Sequence, residues 1–233
     1  MLSISQEQYV ETILEQHRMA ACSPCKTPMG MNLQLPLLTE PEVNVQDYQR
    51  YIGSLMYLMV CTRPDIAYSV GVLSRHVTCP GKPHLQAVKR VFRYLHSISH
   101  YKLEFRGNSF TGSPFISYVD SDWAGDCSDK KSISGYAILM DGGAVSWGSK
   151  KQSCVALSTV ESEFIAALAV VKEVIWMRLL FNSLVMPLTD PIRILIDNQG
   201  VLDLIKSGQI NDRTKHIETL KGAKGGLAAT SKM

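Results

Sequence analysis

Hydrophobic and polar positions divide the chain into a stretch of helical character and, after it, a stretch where short apolar runs alternate with turns. An amphipathic segment from Gln6 to about His17 carries Glu7, Glu11 and Glu15, with Ser5 placed to cap it and Pro24 and Pro28 breaking the pattern beyond it. Asp47 to Cys61 reads as a second, apolar-rich helix, stopped by Thr62-Arg63-Pro64-Asp65. Ile66 to His76 and His84 to His96 follow as two more helices, separated by Pro80-Gly81-Lys82-Pro83.

After Gly107-Asn108-Ser109 the period changes. Phe115–Val119, Gly135–Met140 and Ala144–Trp147 are short β-forming runs, and Asp141-Gly142-Gly143 between the last two is a hairpin signal. Ser158 with Glu161 three residues on makes a capping box at the start of a long helix reaching about Leu184. That helix is apolar around most of its circumference, which predicts one face on a sheet and the other also covered. Pro187 and Pro191 bracket its exit, Ile192–Ile196 is a further strand, and a helix from Gln199 to Lys206 stops at Gly208. From Thr219 the chain loses periodicity and nothing in it reads as a strand. Three strands, a helix, a strand and a helix predict an α/β fold with a mixed sheet and flanking helices, preceded by a helical region.

Composition adds little. The 233 residues are 45% hydrophobic and 19% charged, with net charge +3, an ordinary globular balance. Six scattered cysteines read as reduced thiols, since Cys22-x-x-Cys25 lacks a second pair at zinc spacing. No apolar run is long enough to span a membrane and no signal-peptide centre is present, so an intracellular protein, cytoplasmic or nuclear and without membrane contact, is expected. The helix at 84–96 gathers Lys89, Arg90 and Arg93; a phosphate-binding face and a plain solvated face fit it equally.

Carboxylates give a sharper signal. Asp120 and Asp197 each end an apolar strand, and if those strands are parallel neighbours both side chains emerge at one sheet edge. On the long helix, Glu163 shares an apolar sector with Ala167, Val170 and Val174, whereas the capping box already explains Glu161. Three carboxylates at one point repel each other unless a cation neutralises them, and oxygen ligands without a histidine cluster select Mg2+ or Mn2+. Turn and cap duty is the competing use for the two aspartates.

At these residues the sequence resembles a known family. Tyr118–Asp126, Lys131–Tyr136, Val145–Gln152, Ala156–Phe164, Ile196–Gln199 and Arg213–Ile217 are similar, in order, to the signature blocks of the Ty1/copia retrotransposon ribonuclease H. Upstream, Tyr51–Tyr57, Thr62–Ala67 and His84–Leu95 resemble the end of the same elements' reverse transcriptase and its connection. The resemblance implies a reverse-transcriptase and connection remnant over 1–107, a ribonuclease H-like domain over 114–218 and a divergent tail over 219–233. It implies two Mg2+ or Mn2+ ions on Asp120, Glu163 and Asp197, with Asp122 the alternative to Asp120, and an RNA–DNA hybrid as substrate. No small-molecule cofactor is implied, and the remainder of the reverse transcriptase is the expected protein partner. Ser121 and Asn198 are implied contacts to the sugar-phosphate strand, with Trp123 and Trp147 in the core. Lys130, Lys131, Lys150 and Lys151 join Lys89 and Arg93 as basic candidates for a nucleic-acid surface.

The family pattern continues after Arg213–Ile217 with a helix, a fifth strand and a last helix bearing a fourth aspartate. Thr219 onward does not match and holds no acidic residue, so an incomplete domain with an unpaired edge beside Asp197 is expected. The paired-aspartate signature of a polymerase is also missing. A non-catalytic, nucleic-acid-binding or functionless remnant is the alternative expectation.

Overall fold

Helical periodicity in the first hundred residues resolves into four helices that bury one face each in a shared core. A computed structural model of the chain describes residues 1–31, 33–107, 115–126, 128–186, 188, 190–207 and 227–231. Pro187, Gly208 and the Arg213–Ile217 block lie outside these described residues. The chain separates into two units, Met1–Glu104 and Phe105–Met233.

In the first unit, β1 (Leu2–Ser5) leads into α1 (Glu7–Gln16), α2 (Val45–Cys61), α3 (Ala67–Leu73) and α4 (Lys82–Ser97), and β2 (Lys102–Phe105) pairs with β1. Single 3-10 turns, Pro64–Ile66 and Ser74–His76, flank α3, so the helix expected over Ile66–His76 is shorter at both ends. Asn44 caps α2 by accepting the Asp47 amide at 3.0 Å. Val10, Ile13, Tyr48, Ile52, Leu55, Val70, Val88 and Phe92 meet in the core. The two four-residue strands were not foreseen, because four residues carry too little alternation to signal a strand.

Where α2 ends, a charge is buried. Arg63 is 2% exposed and grips Asp65 with two hydrogen bonds, Nε to Oδ1 at 3.0 Å and Nη2 to Oδ2 at 2.8 Å. Its remaining donor reaches the Ile98 carbonyl and its guanidinium lies 5.8 Å from the Tyr101 ring centre. Arg90 and Arg93 turn inward on the 20s loop, Arg90 to both oxygens of Thr27 and Arg93 to the Ser23 carbonyl at 2.7 Å. Lys89 remains exposed.

The second unit is built on a five-stranded sheet. β3 (Phe115–Asp122), β4 (Ile133–Met140) and β5 (Gly143–Lys151) form an antiparallel meander, α5 (Thr159–Ser183) crosses over, and β6 (Ile192–Ile196), α6 (Gln199–Ser207) and β7 (Leu227–Ser231) follow. The strand order is β5-β4-β3-β6-β7, with β6 parallel to β3 and β7 parallel to β6. This is the mixed α/β sheet with flanking helices that the order of elements predicts. Asp141 and Gly142 turn the β4–β5 hairpin with φ of 49° and 85°, the left-handed pair that a tight hairpin requires. Phe115, Val119, Ile192, Ile194 and Ile196 pack with Phe164, Ala167, Val170 and Val174 of α5 and Val201 and Leu202 of α6.

Two expectations are corrected. A fifth strand is present, over Leu227–Ser231, so β6 is not an open edge. Leu-Ala-Ala-Thr-Ser has no apolar alternation to announce it, and pairing with the β6 backbone supplies the structure instead. The outer side of α5 is not covered either, with Trp176 56% and Leu179 63% exposed.

Removing the partner of a buried charge is costly. Asp65→Ala is expected to lower the stability of the first unit by about 3 kcal/mol. Urea denaturation followed by helical circular dichroism tests it.

Candidate metal centre

Parallel pairing of β3 with β6 sets the first two members of the site. Tyr118 lies opposite Leu195, and two residues further on stand Asp120, within β3, and Asp197, just past the end of β6, both exposed. Adjacent strands run about 4.8 Å apart, so carboxylates leaving the same rung are forced close. α5 supplies the third. Ser158 accepts the Glu161 amide at 3.2 Å, and Glu161 accepts the Leu157 amide at 2.8 Å. Glu161 is thereby spent on the cap, and Glu163, half a turn on, is carried over the sheet edge at 7% exposure.

One oxygen from each of Asp120, Glu163 and Asp197 lies within 4.8 Å of the others. The backbone N–H of Ser121 donates to Asp120 Oδ1 at 2.9 Å and reaches Glu163 Oε1 at 3.4 Å. Glu163 Oε2 is buried without a hydrogen-bond partner among the described residues. Burial, then the charges of Asp120 and Asp197, push the Glu163 carboxyl up to about 7. Three carboxylates gathered this closely, one of them buried, are an arrangement that a hard divalent cation fits. Asp122 stands apart. Its carboxylate is folded against Gly125, where a side chain on that glycine would collide with it, and it does not join the group.

Other candidates stand as follows. Asn198 accepts the amides of Gly200 and Val201, capping α6. Lys150 is exposed, whereas Lys151 clasps Asp126 at 2.6 Å and Asp129 at 2.9 Å. Trp123 is not in the core; it is 48% exposed and its indole N–H donates to the Ala156 carbonyl at 3.1 Å. Sequence reasoning missed the buried Gln152, Ser134 and Ser162, which hydrogen-bond behind the acids and reach half-buried Ser121. Gln152 and Ser162 sit inside quoted blocks, but only their burial marks them out.

A retrovirus-related Pol polyprotein from transposon TNT 1-94 of Nicotiana tabacum is 42% identical over 225 residues, 93% of this chain and 17% of that protein. The Pol polyprotein from transposon RE1 of Arabidopsis thaliana is 36% identical over 222 residues, again 93% of this chain and 15% of the relative. The chain belongs to the copia-type retrotransposon Pol polyproteins. It spans under a fifth of the length of these two Pol relatives. A secreted RxLR effector protein of Plasmopara viticola is 47% identical over 130 residues, 56% of this chain and 90% of that protein. No family model matches. Ribonuclease H1 of Halobacterium salinarum superposes with a TM-score of 0.38 and 16% identity over 51% of this chain and 84% of that one, a likeness too loose to argue from.

The Lys151 clasp predicts how the copia-type sheet responds to acid. Burial works to raise the Asp126 carboxyl, but hydrogen bonds from Lys151 and Ser128 outweigh it and hold the group below the usual carboxylate range. Burial likewise works against the Lys151 charge, and Asp126 and Asp129 overcome it and raise its pKa. A depressed acid contributes stability above its unfolded pKa, near 4, and loses it as pH falls through the folded value. A raised lysine contributes below its unfolded pKa, near 10.4, and loses it as pH rises through the folded value. Lys151→Met is therefore expected to cost about 1 kcal/mol at neutral pH. In tryptophan-monitored urea denaturation the difference should shrink toward zero at strongly acid pH.

Proposed function

We propose that this chain is the ribonuclease H end of a copia-type Pol polyprotein, a divalent-metal nuclease that hydrolyses the RNA strand of an RNA–DNA hybrid. Asp120, Glu163 and Asp197 hold the metal, Mg2+ or Mn2+. The observation that carries this reading is the meeting of three carboxylates with Glu163 Oε2 left without a partner among the described residues. Metal bound there would supply Lewis acidity, lowering the pKa of a water and stabilising the departing oxygen. The chain's own part is to hold the acids. Ser121 N–H fixes one oxygen of Asp120 and approaches Glu163, and the α5 cap keeps Glu161 out of the site. Exposed Lys89 and Lys150 and half-buried Ser121 and Asn198 are available to the sugar-phosphate strands, and the rest of the reverse transcriptase is the proposed partner.

Incubation of the purified chain with a hybrid labelled on both strands tests the activity. The RNA strand should be cut with Mg2+ or Mn2+ and spared with EDTA, and Asp197→Asn should slow cutting about 100-fold or more. Equal cleavage by wild type and Asp197→Asn would overturn the proposal; salt-sensitive binding without cutting would favour a binding remnant.

Stability gives a second check. A carboxyl raised to about 7 binds its proton more tightly folded than unfolded, so without metal it lowers stability as pH rises through that value. Glu163→Gln should then stabilise the metal-free chain at pH 8 by about 1 kcal/mol. Mn2+ should raise the melting temperature of the wild type and leave that of Glu163→Gln nearly unchanged.

A further inference from the structure

Behind the acid centre runs a chain of buried hydrogen bonds that neither the fold nor the metal reading accounts for. Gln152, the residue after β5, is 6% exposed, and its Nε2 donates to the Ser162 carbonyl at 2.9 Å and to Ser134 Oγ at 2.9 Å. The Ser162 carbonyl only accepts, so the amide can face it only through nitrogen. Ser162, wholly buried, donates from Oγ to Ser121 Oγ at 2.7 Å. Ser162 adjoins Glu163 and Ser121 adjoins Asp120, and the Ser121 amide is the donor on both carboxylates. On the far side the Gln152 amide N–H donates to the Ser132 carbonyl at 2.8 Å, and Ser132 Oγ accepts the Ala124 amide at 3.1 Å.

We propose that Gln152 is a positioning residue for the metal centre, holding Ser162 and through it Ser121, so that Asp120 and Glu163 stand at the spacing a divalent cation needs. The inference rests on the acids being a metal site. The balance of its hydrogen bonds favours this role over a purely structural one. Gln152 Oε1 is buried with no partner among the described residues, a cost that a methionine of the same shape does not carry. Exchanging the amide for that thioether loses donors to Ser162 and Ser134 but also removes the orphaned oxygen, so the fold gains and loses together. Only the acids are left without their reference. Groups that orient metal ligands in this way characteristically change metal affinity about 10- to 100-fold.

The test is titration of Mn2+ alone into the full chain, with free Mn2+ read by electron paramagnetic resonance, beside urea denaturation in metal-free buffer. Gln152→Met is expected to weaken Mn2+ binding about tenfold while its denaturation midpoint stays near that of wild type. Ser162→Ala should weaken binding similarly, and the double variant should be no weaker than either single one. Wild-type binding that Gln152→Met leaves unchanged would overturn the positioning role and leave the metal centre standing. Loss of midpoint and affinity together would also overturn it, as the mark of a structural residue. A wild-type chain that binds no Mn2+ would remove the metal reading and this inference with it. Should Gln152→Met fail to fold, Ser121→Ala decides, since it removes only the last hydroxyl of the relay; unchanged affinity there overturns the proposal.

Discussion

Electrostatic repulsion among three carboxylates is the constraint around which the second unit is arranged. Asp120 and Asp197 are brought together by nothing more specific than two parallel strands in register, and Glu163 is then laid over them by the first turns of α5. Such a meeting is unfavourable by itself: burial first, and then the charges of Asp120 and Asp197, push the Glu163 carboxyl up. The fold tolerates it because the sheet and α5 are fixed by contacts that owe nothing to the acids, from Phe115 and Ile194 to Val170 and Val174. The protein imposes the geometry, and the charge left unbalanced is what gives the site its appetite for a cation.

The polar surroundings are divided by task. Glu161 closes the helix cap, Asn198 opens α6, Lys151 ties down the loop through Asp126 and Asp129, and the serines with Gln152 fill the space behind the acids. Arg63 does comparable work in the first unit, where one guanidinium closes the end of α2 against Asp65 and Ile98.

How much of this was readable beforehand depended on range. Helices with a strong period and strands bounded by turns were legible, and so were the three acids, because a carboxylate at a strand tip or on an apolar stripe is conspicuous in one dimension. Register then chose between Asp120 and Asp122, which lie on the same side of an extended strand and differ only in what Gly125 draws toward itself. β1, β2 and β7 escaped notice, since their residues take strand form only against a partner far along the chain. Gln152 escaped for a related reason. Its importance lies in Ser162 and Ser134, and a glutamine at the end of a lysine-rich strand reads as surface until its burial is known. Lys151 and Arg93 misled in the opposite sense, as charges with partners inside the protein that sequence alone cannot pair.

The parallel rung also has a kinetic side. β3, β4 and β5 are joined by short connections, whereas β3 meets β6 only after the whole of α5 has intervened. Contacts that close long loops form late, so the meander is expected to be in place before the two aspartates are neighbours. Like charges are thus expected to come face to face only after most of the apolar surface has been buried. The acid cluster closes at the end of the folding route, and the meander that precedes it carries Asp120 alone of the three acids.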